Sequence, residues 1–236
     1  MSIKIVTDST CDLPRELIHA HHISVIPLHI NKGEDSFLDG LEITPEDIFS
    51  YVEKGGDSMN VLIVVDMQND FVSGALGTPE AREIVPRVVD RVEEGIRRGE
   101  QILFTRDTHG ADYLETQEGK HLPVPHCIRG TWGWELIDQL RPYAEGRTVL
   151  DKPTFGSSQL GRLLQAENEG TPVERVTLIG LCTDICVISN ALLVKAFLPE
   201  AEVAVDAACC AGVTPESHRT ALAAMGPCQI AVEHEA

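Results

Sequence analysis

Reactive side chains recur at one kind of place in this chain, the end of an apolar run. Asp66 closes "MNVLIVVD", Asp107 and His109 follow "QILFTRD", Lys152 ends "RTVLDK", and Cys182 and Cys186 follow "VERVTLIG". Runs this short and this apolar read as strands buried on both faces of a parallel sheet. Such sheets bind ligands beyond the carboxyl ends of their strands, so one rim collects a carboxylate, an ammonium and thiols. A thiol alone is usually a small buried hydrophobe. A thiol with a base and a cation at neighbouring strand ends is a nucleophile. Cys186 takes that role: the first turn of a helix opening near Thr183–Asp184 favours thiolate. Lys152 lowers its pKa further, and Asp66 takes the thiol proton and passes it to a leaving group. The Cys182 side chain is a bystander whose backbone N–H pairs with that of Cys186 to hold an oxyanion.

A second cluster lies in "RDTHGADYLETQEGKHLPVPHC". Asp107, His109 and His126 form a mixed oxygen and nitrogen set suited to zinc, iron or manganese. Glu118 is the candidate fourth ligand, with Glu115 and His121 as rivals for that place.

The elements that must carry these groups alternate through residues 59–236. Helical patterns over "PEAREIVPRVVDRVEEGIRRG", "TWGWELIDQL", "SSQLGRLLQAE", "TDICVISNALLVKAFLP" and "TPESHRTALAAMG" separate the strands, and "AEVAVDAAC" and "CQIAVE" close the series. The expectation is an α/β domain of three layers, with a Rossmann-like parallel sheet of about six strands. Residues 1–57 repeat a small β-α-β-α pattern: strands at "IKIVTD" and "ISVIPLHI", helices at "LPRELIHAHH" and "TPEDIFSYVEKGG". The stretch "KGGDS" reads as a linker. The domain boundaries expected are 1–57 and 59–236.

The net charge of −18 over 236 residues repels nucleic acid and anionic membrane surfaces. No apolar run has the length of a bilayer span, and the N-terminus lacks a signal-peptide pattern. Seven cysteines, an odd number with no CxxC pair, point to a reduced, cytoplasmic setting rather than a disulfide or zinc-knuckle framework. Cys127, Cys209 and Cys210 read as structural.

The motifs "VVDMQNDF", "TRDTH", "HC-x2-GT", "DKPTFGS" and "GLCTDICV", in this order, resemble the isochorismatase-like cysteine hydrolases and, within them, the nicotinamidases. The resemblance covers about 59–236. It implies a triad of Asp66, Lys152 and Cys186, a cis peptide at Leu181–Cys182, and a divalent metal held by Asp107, His109, Glu118 and His126 that anchors a pyridine nitrogen. Phe71 and Phe155 fall where the family supplies aromatic walls for the ring. The aromatic residue that nicotinamidases carry shortly before the equivalent of His126 is replaced here by Leu122, Pro123, Val124 and Pro125, so Trp132, Trp134 or Tyr113 is expected to substitute. The implied reaction is hydrolysis of nicotinamide to nicotinic acid and ammonia through a thioester. The alternative is another small amide or carbamoyl compound. True isochorismatases dispense with the cysteine.

"IKIVTDSTCDLPRELI", "ISVIPLHI" and "DGLEITPEDIFSYVEKGGD" resemble the beginning of the DegV-type fatty-acid-binding proteins, in which the region matching Thr7 to Thr10 helps hold a lipid carboxylate. A lipid-binding or scaffold module is the reading from a different class. A fragment of this size has little core of its own, so packing on a second copy or on the larger domain is expected, and the partners expected overall are a small amide and a homo-oligomer.

Overall fold

The computed structural model describes residues 4–11, 13–32, 35–48 and 58–235. The chain separates into two compact units, Met1–Ser58 and Met59–Ala236.

In the first unit β1 (Val6–Asp8) and β2 (Ser24–Ile26) pair in parallel around α1 (Arg15–Ala20). The single strand expected over "ISVIPLHI" is two. Pro27, which has no N–H to donate, interrupts it, and β3 (His29–Lys32) leaves to pair antiparallel with β4 (Asp35–Leu38). The helix expected from Thr44 opens with reciprocal bonds. The Thr44 N–H donates to Asp47 Oδ2 at 3.0 Å and the Asp47 N–H to Thr44 Oγ1 at 3.2 Å, which satisfies donors a helix start leaves open. Its continuation and most of the "KGGDS" linker, residues 49–57, lie outside the described residues. Among the described residues of this unit Ile43 is the buried hydrophobic one, while Ile5, Val6, Leu17, Val25, Ile26 and Leu41 are exposed.

The second unit holds β5 (Met59–Val65), β6 (Gln101–Asp107), β7 (Val149–Lys152), β8 (Val173–Leu181), β9 (Glu202–Ala211) and β10 (Ile230–Glu233). All are parallel, in the order β10-β9-β8-β5-β6-β7. The order reverses between β5 and β8, the switch point at which such sheets open a crevice. Alternate strand residues face opposite sides. Val61, Ile63 and Val65 pack with Leu160, Leu164 and Ala191, while Leu62 and Val64 pack with Val88 and Val92. The sheet is therefore covered on both faces.

The helices of this unit are α2 (Asn69–Val72), α3 (Pro79–Glu83), α4 (Val85–Arg97), α5 (Gln117–His121), α6 (Arg141–Ala144), α7 (Ser158–Gly170), α8 (Ile188–Phe197) and α9 (Pro215–Met225). The pattern over 79–99 predicts one helix; Pro86 divides it into α3 and α4. The helix expected over "TWGWELIDQL" does not form. A 3₁₀ turn occupies Trp132–Trp134, and the chain then extends to bridge Gln68 with Leu136 and to bond the Ile137 N–H to the Met67 carbonyl at 3.0 Å. Helical starts follow their caps: Ser157 accepts from the Leu160 N–H, and Thr214 and Ser217 form a capping box before α9.

Gly180 sits where β8 delivers the chain to the rim. Its φ is +113°, and a Cβ there would fall on the Val65 carbonyl oxygen. Neither the conformation nor the space admits a side chain. Gly180→Ala is expected to destabilise the protein by about 2–4 kcal/mol, read as a lowered denaturant midpoint. A midpoint equal to that of the parent would remove Gly180 from this account.

Candidate active site

Asp66 follows β5 with a φ of +47°, a conformation uncommon for a residue with a side chain. It is fully buried. Its Oδ1 accepts from the Thr105 hydroxyl at 2.7 Å, while Oδ2 lies 2.6 Å from Lys152 Nζ. That contact is an ion pair between two buried groups. Lys152 is also buried, and its Nζ stands 3.4 Å from Cys186 Sγ, 3.4 Å from Asp107 Oδ1 and 3.3 Å from the Thr154 carbonyl. Asp66, Lys152 and Cys186, read from three separate strand ends, are thus brought together.

The electrostatics of this trio differ from the sequence reading in one respect. Burial raises the Asp66 carboxyl above its ordinary range, against the pull of the Lys152 ammonium. Burial would lower Lys152, but the surrounding anions overcome it and hold the ammonium charged. Burial and the Asp66 carboxylate push the Cys186 thiol well up, and Lys152 opposes them only in part. The resting sulfur is therefore a thiol, not the thiolate expected from a helix start. A raised carboxylate beside a raised thiol is a base poised to deprotonate it as it reacts.

The turn that carries the sulfur is a π-helical one, Thr183–Val187, entered through a cis peptide at Leu181–Cys182. The Ile185 and Val187 N–H groups both bond to the Cys182 carbonyl. Turns of this kind inside helices recur at functional sites. The Cys182 thiol is half-buried and pushed up to about 12 by burial. Cys127, Cys209 and Cys210 are buried and free, as their structural reading requires.

Beyond β6, Asp107, His109, Glu118 and His126 converge, with one ligand atom from each within 4.8 Å of all the others. His109 Nε2 is 2.8 Å from Asp107 Oδ2 and 3.7 Å from Glu118 Oε1. His126 Nε2 is 3.5 and 3.8 Å from the same two oxygens. A tetrahedral ion with bonds of about 2.1 Å separates its ligands by roughly 3.4 Å, so the donor set fits a divalent cation. His126 is oriented for it: its Nδ1 donates to the Val124 carbonyl at 2.8 Å, which leaves Nε2 free to ligate. Tyr113 packs on both imidazoles, with ring centroids 4.7 and 5.0 Å away. Gly119 lets α5 close on Tyr113, because a Cβ there would fall on the Tyr113 carbonyl oxygen. Glu115 is not part of the cluster, and His121 lines the cavity without joining it.

Both groups open on one cavity of 780 Å³, lined by Phe71, Phe155 and Cys182 among others. Phe71 meets His126 edge-on at 5.6 Å. Phe155 is partly exposed at the mouth. Trp132, expected to serve as a wall, does not line the cavity. It is 60% exposed, and its carbonyl accepts from the Asn69 amide. Trp134 is also elsewhere, under the Arg106 guanidinium at 3.7 Å.

Two positioning residues escape a reading based on reactive groups. Gln68 Nε2 donates to the Asp107 and Trp134 carbonyls, and its Oε1 accepts from the Asp107 N–H at 2.7 Å, fixing a ligand's backbone. Asn190 Nδ2 donates to the Cys186 carbonyl at 2.8 Å and to the Phe155 carbonyl at 3.1 Å, while its Oδ1 accepts from the Ser157 N–H. The available signal was Asn190 itself, a buried amide within the mostly apolar "ISNALLV".

An isochorismatase domain model matches residues 60–235, three quarters of the chain. The chain belongs to the isochorismatase family. Residues 2–60 match a DegV family model. Among solved isochorismatase-fold structures, the zinc complex of a pyrazinamidase from Pyrococcus horikoshii superposes with a TM-score of 0.63 at 29% identity, covering 73% of this chain and 97% of that one. An N-carbamoylsarcosine amidase from Thermoplasma acidophilum gives 0.60 at 29% identity, over 75% and 98%. Among curated proteins, the nicotinamidase of Saccharomyces cerevisiae is 34% identical over 109 residues, 35% of this chain and 50% of its own length. A DegV domain-containing protein of Clostridium perfringens is 50% identical over 182 residues, 66% of this chain and 64% of its own. That alignment runs past the segment the DegV model matches; the isochorismatase assignment of 60–235 rests on the family model and on the parallel sheet. The chain spans half to about two thirds of the length of these two relatives. Among the described residues no helix is long and apolar enough to cross a membrane.

Proposed function

We propose that the protein is a metal-dependent nicotinamidase, releasing nicotinic acid and ammonia. One observation carries the reading: the thiol of a buried carboxylate–ammonium–thiol trio and a four-residue donor set face one cavity. Asp107, His109, Glu118 and His126 would hold the ion, with zinc the first candidate and iron or manganese the alternatives. Bound there, a divalent metal supplies an electrophilic anchor for a ring nitrogen. Phe71 and Phe155 flank the ring. The backbone N–H groups of Cys182 and Cys186 receive the carbonyl oxygen as it becomes an oxyanion. Asp66 takes the thiol proton as Cys186 attacks, then gives it to the departing nitrogen. It next deprotonates the water that opens the thioester. Lys152 keeps its charge throughout, offsetting the anions around it.

Ammonia release from nicotinamide, pyrazinamide and simple carbamoyl amides, with and without chelator, tests the assignment. Turnover of the two heteroaromatic amides that chelator suppresses and metal restores is the expected result. Turnover of carbamoyl compounds alone would sustain the second reading, which the similarity to the T. acidophilum amidase favours. Glu118→Ala is expected to weaken metal binding at least about 100-fold, measured by competition with a chromogenic chelator. Undiminished affinity would exclude Glu118 as a ligand. Residues 2–60 form, in this proposal, a separate DegV-like unit, and the protein works as a cytoplasmic homo-oligomer on a small amide.

A further inference from the structure

The turn that carries Cys186 is held from two elements. Asn190 grips it from α8, through the Cys186 carbonyl. Its other anchor lies on α9, a helix to which the chemistry above gives no part. There His218 Nδ1 stands 2.8 Å from the Thr183 hydroxyl. Thr183 opens the turn and lies in sequence between Cys182 and Cys186, whose backbone N–H groups are assigned to the oxyanion. Beside this bond the Val213 N–H donates to Asp184 Oδ1 at 3.1 Å. The chain after β9 passes close to both elements: a Cβ on Gly212 would lie 2.9 Å from the His218 backbone nitrogen and 3.0 Å from Asp184 Oδ1. The turn, the segment after β9 and the start of α9 are therefore packed as one unit.

Burial sets the direction of the Thr183–His218 bond. Thr183 is fully buried, and among the described residues its hydroxyl has no other hydrogen-bond partner. A buried hydroxyl proton needs an acceptor, and the imidazole is what it meets. Thr183 Oγ1 therefore donates to His218 Nδ1, which fixes the ring as the neutral tautomer with its proton on Nε2. Burial also lowers the His218 pKa, against the pull of Asp184, and so favours the same neutral ring.

We propose that His218 is a positioning residue for the reaction: through Thr183 it fixes the turn that carries both the nucleophile and the oxyanion N–H groups. The inference rests on the thioester mechanism of the nicotinamidase reading above, and it holds for any small amide attacked in that way. A loosened turn misplaces the sulfur and the two donors together. Misplacement by about 1 Å costs roughly 100-fold in rate. These groups act in the transition state, so the loss falls on kcat rather than KM.

His218→Ala, His218→Asn, Thr183→Val and Thr183→Ser test it, with the amide that the parent enzyme turns over fastest. His218→Asn keeps an acceptor, since its Oδ1 takes the place of the ring Nδ1, and Thr183→Ser keeps the donor. His218→Ala and Thr183→Val are expected to lower kcat at least about tenfold with KM within about threefold, while His218→Asn and Thr183→Ser stay within about threefold of the parent in both. Nitrogen NMR spectra of the parent at neutral pH are expected to show His218 protonated on Nε2 and not on Nδ1, a readout that needs no variant to fold. A kcat of His218→Ala within about twofold of the parent, or a loss confined to KM, overturns the positioning role. Equal losses in His218→Ala and His218→Asn, or a proton on Nδ1, overturn the bond that carries it. Each of these leaves the nicotinamidase reading standing, whereas a parent inactive on every amide overturns that reading and this inference with it.

Discussion

Cys186→Ala is expected to lower kcat by at least about 10⁴-fold while the protein melts within a few degrees of the parent. Nothing else can form the thioester. Cys182 is the other thiol that lines the cavity, but it is Cys186 whose sulfur stands 3.4 Å from the Lys152 ammonium that Asp66 also holds. The folding claim rests on what the sulfur touches. Its close polar partner is the Lys152 ammonium at 3.4 Å, which keeps Asp66 and the Thr154 carbonyl after the thiol is gone. Turnover within tenfold of the parent, with an unchanged melting profile, would sink the mechanism.

Lys152→Met has two consequences, and pH separates them. The substitution fills similar volume but leaves Asp66 and Asp107 facing each other across buried space with no cation between them. Breaking such a pair costs about 3–5 kcal/mol, and turnover falls with it. Asp66 is already raised by burial with the ammonium present, and its removal raises the carboxyl further. A carboxyl whose folded pKa exceeds its unfolded value contributes stability below the unfolded value and loses it as pH climbs through the folded one. The deficit of the variant is therefore largest near neutral pH and shrinks as the solution is acidified toward pH 5. Melting temperatures of both proteins across that window measure it. A deficit that is constant, or that grows on acidification, would show that the ammonium does not compensate these carboxylates.

The strand ends were legible because burial on both faces forces near-continuous apolar runs, and each run here stops at a polar side chain that the rim can solvate. "MNVLIVVD" and "VERVTLIG" needed no partner to be read. The breaks were less legible. Pro27 and Pro86 each stop an element whose hydrophobic pattern continues through them, and "TWGWELIDQL" has helical spacing but spends Leu136 and Ile137 on the segment after β5. Periodicity reports which face is apolar; it does not report which neighbour claims the backbone. The protonation of Cys186 was misread for a related reason. A helix start and a lysine can be seen in one dimension, whereas the depth of burial and the approach of Asp66 exist only in three. Trp132 was placed by residue type, and its exposure shows that type without contact is weak guidance.

The three bonds of Asn190 fasten the sulfur's turn and the Phe155 loop to a single amide. Any displacement of the aromatic lip is transmitted to the nucleophile, so selection for a different ring on that side endangers the chemistry it is meant to serve. Among the described residues no side-chain hydrogen bond joins α3 to the sulfur's turn. Diversification of substrate preference among descendants of this chain should accordingly accumulate around Leu76 and Ala81, with the 153–157 loop changing last.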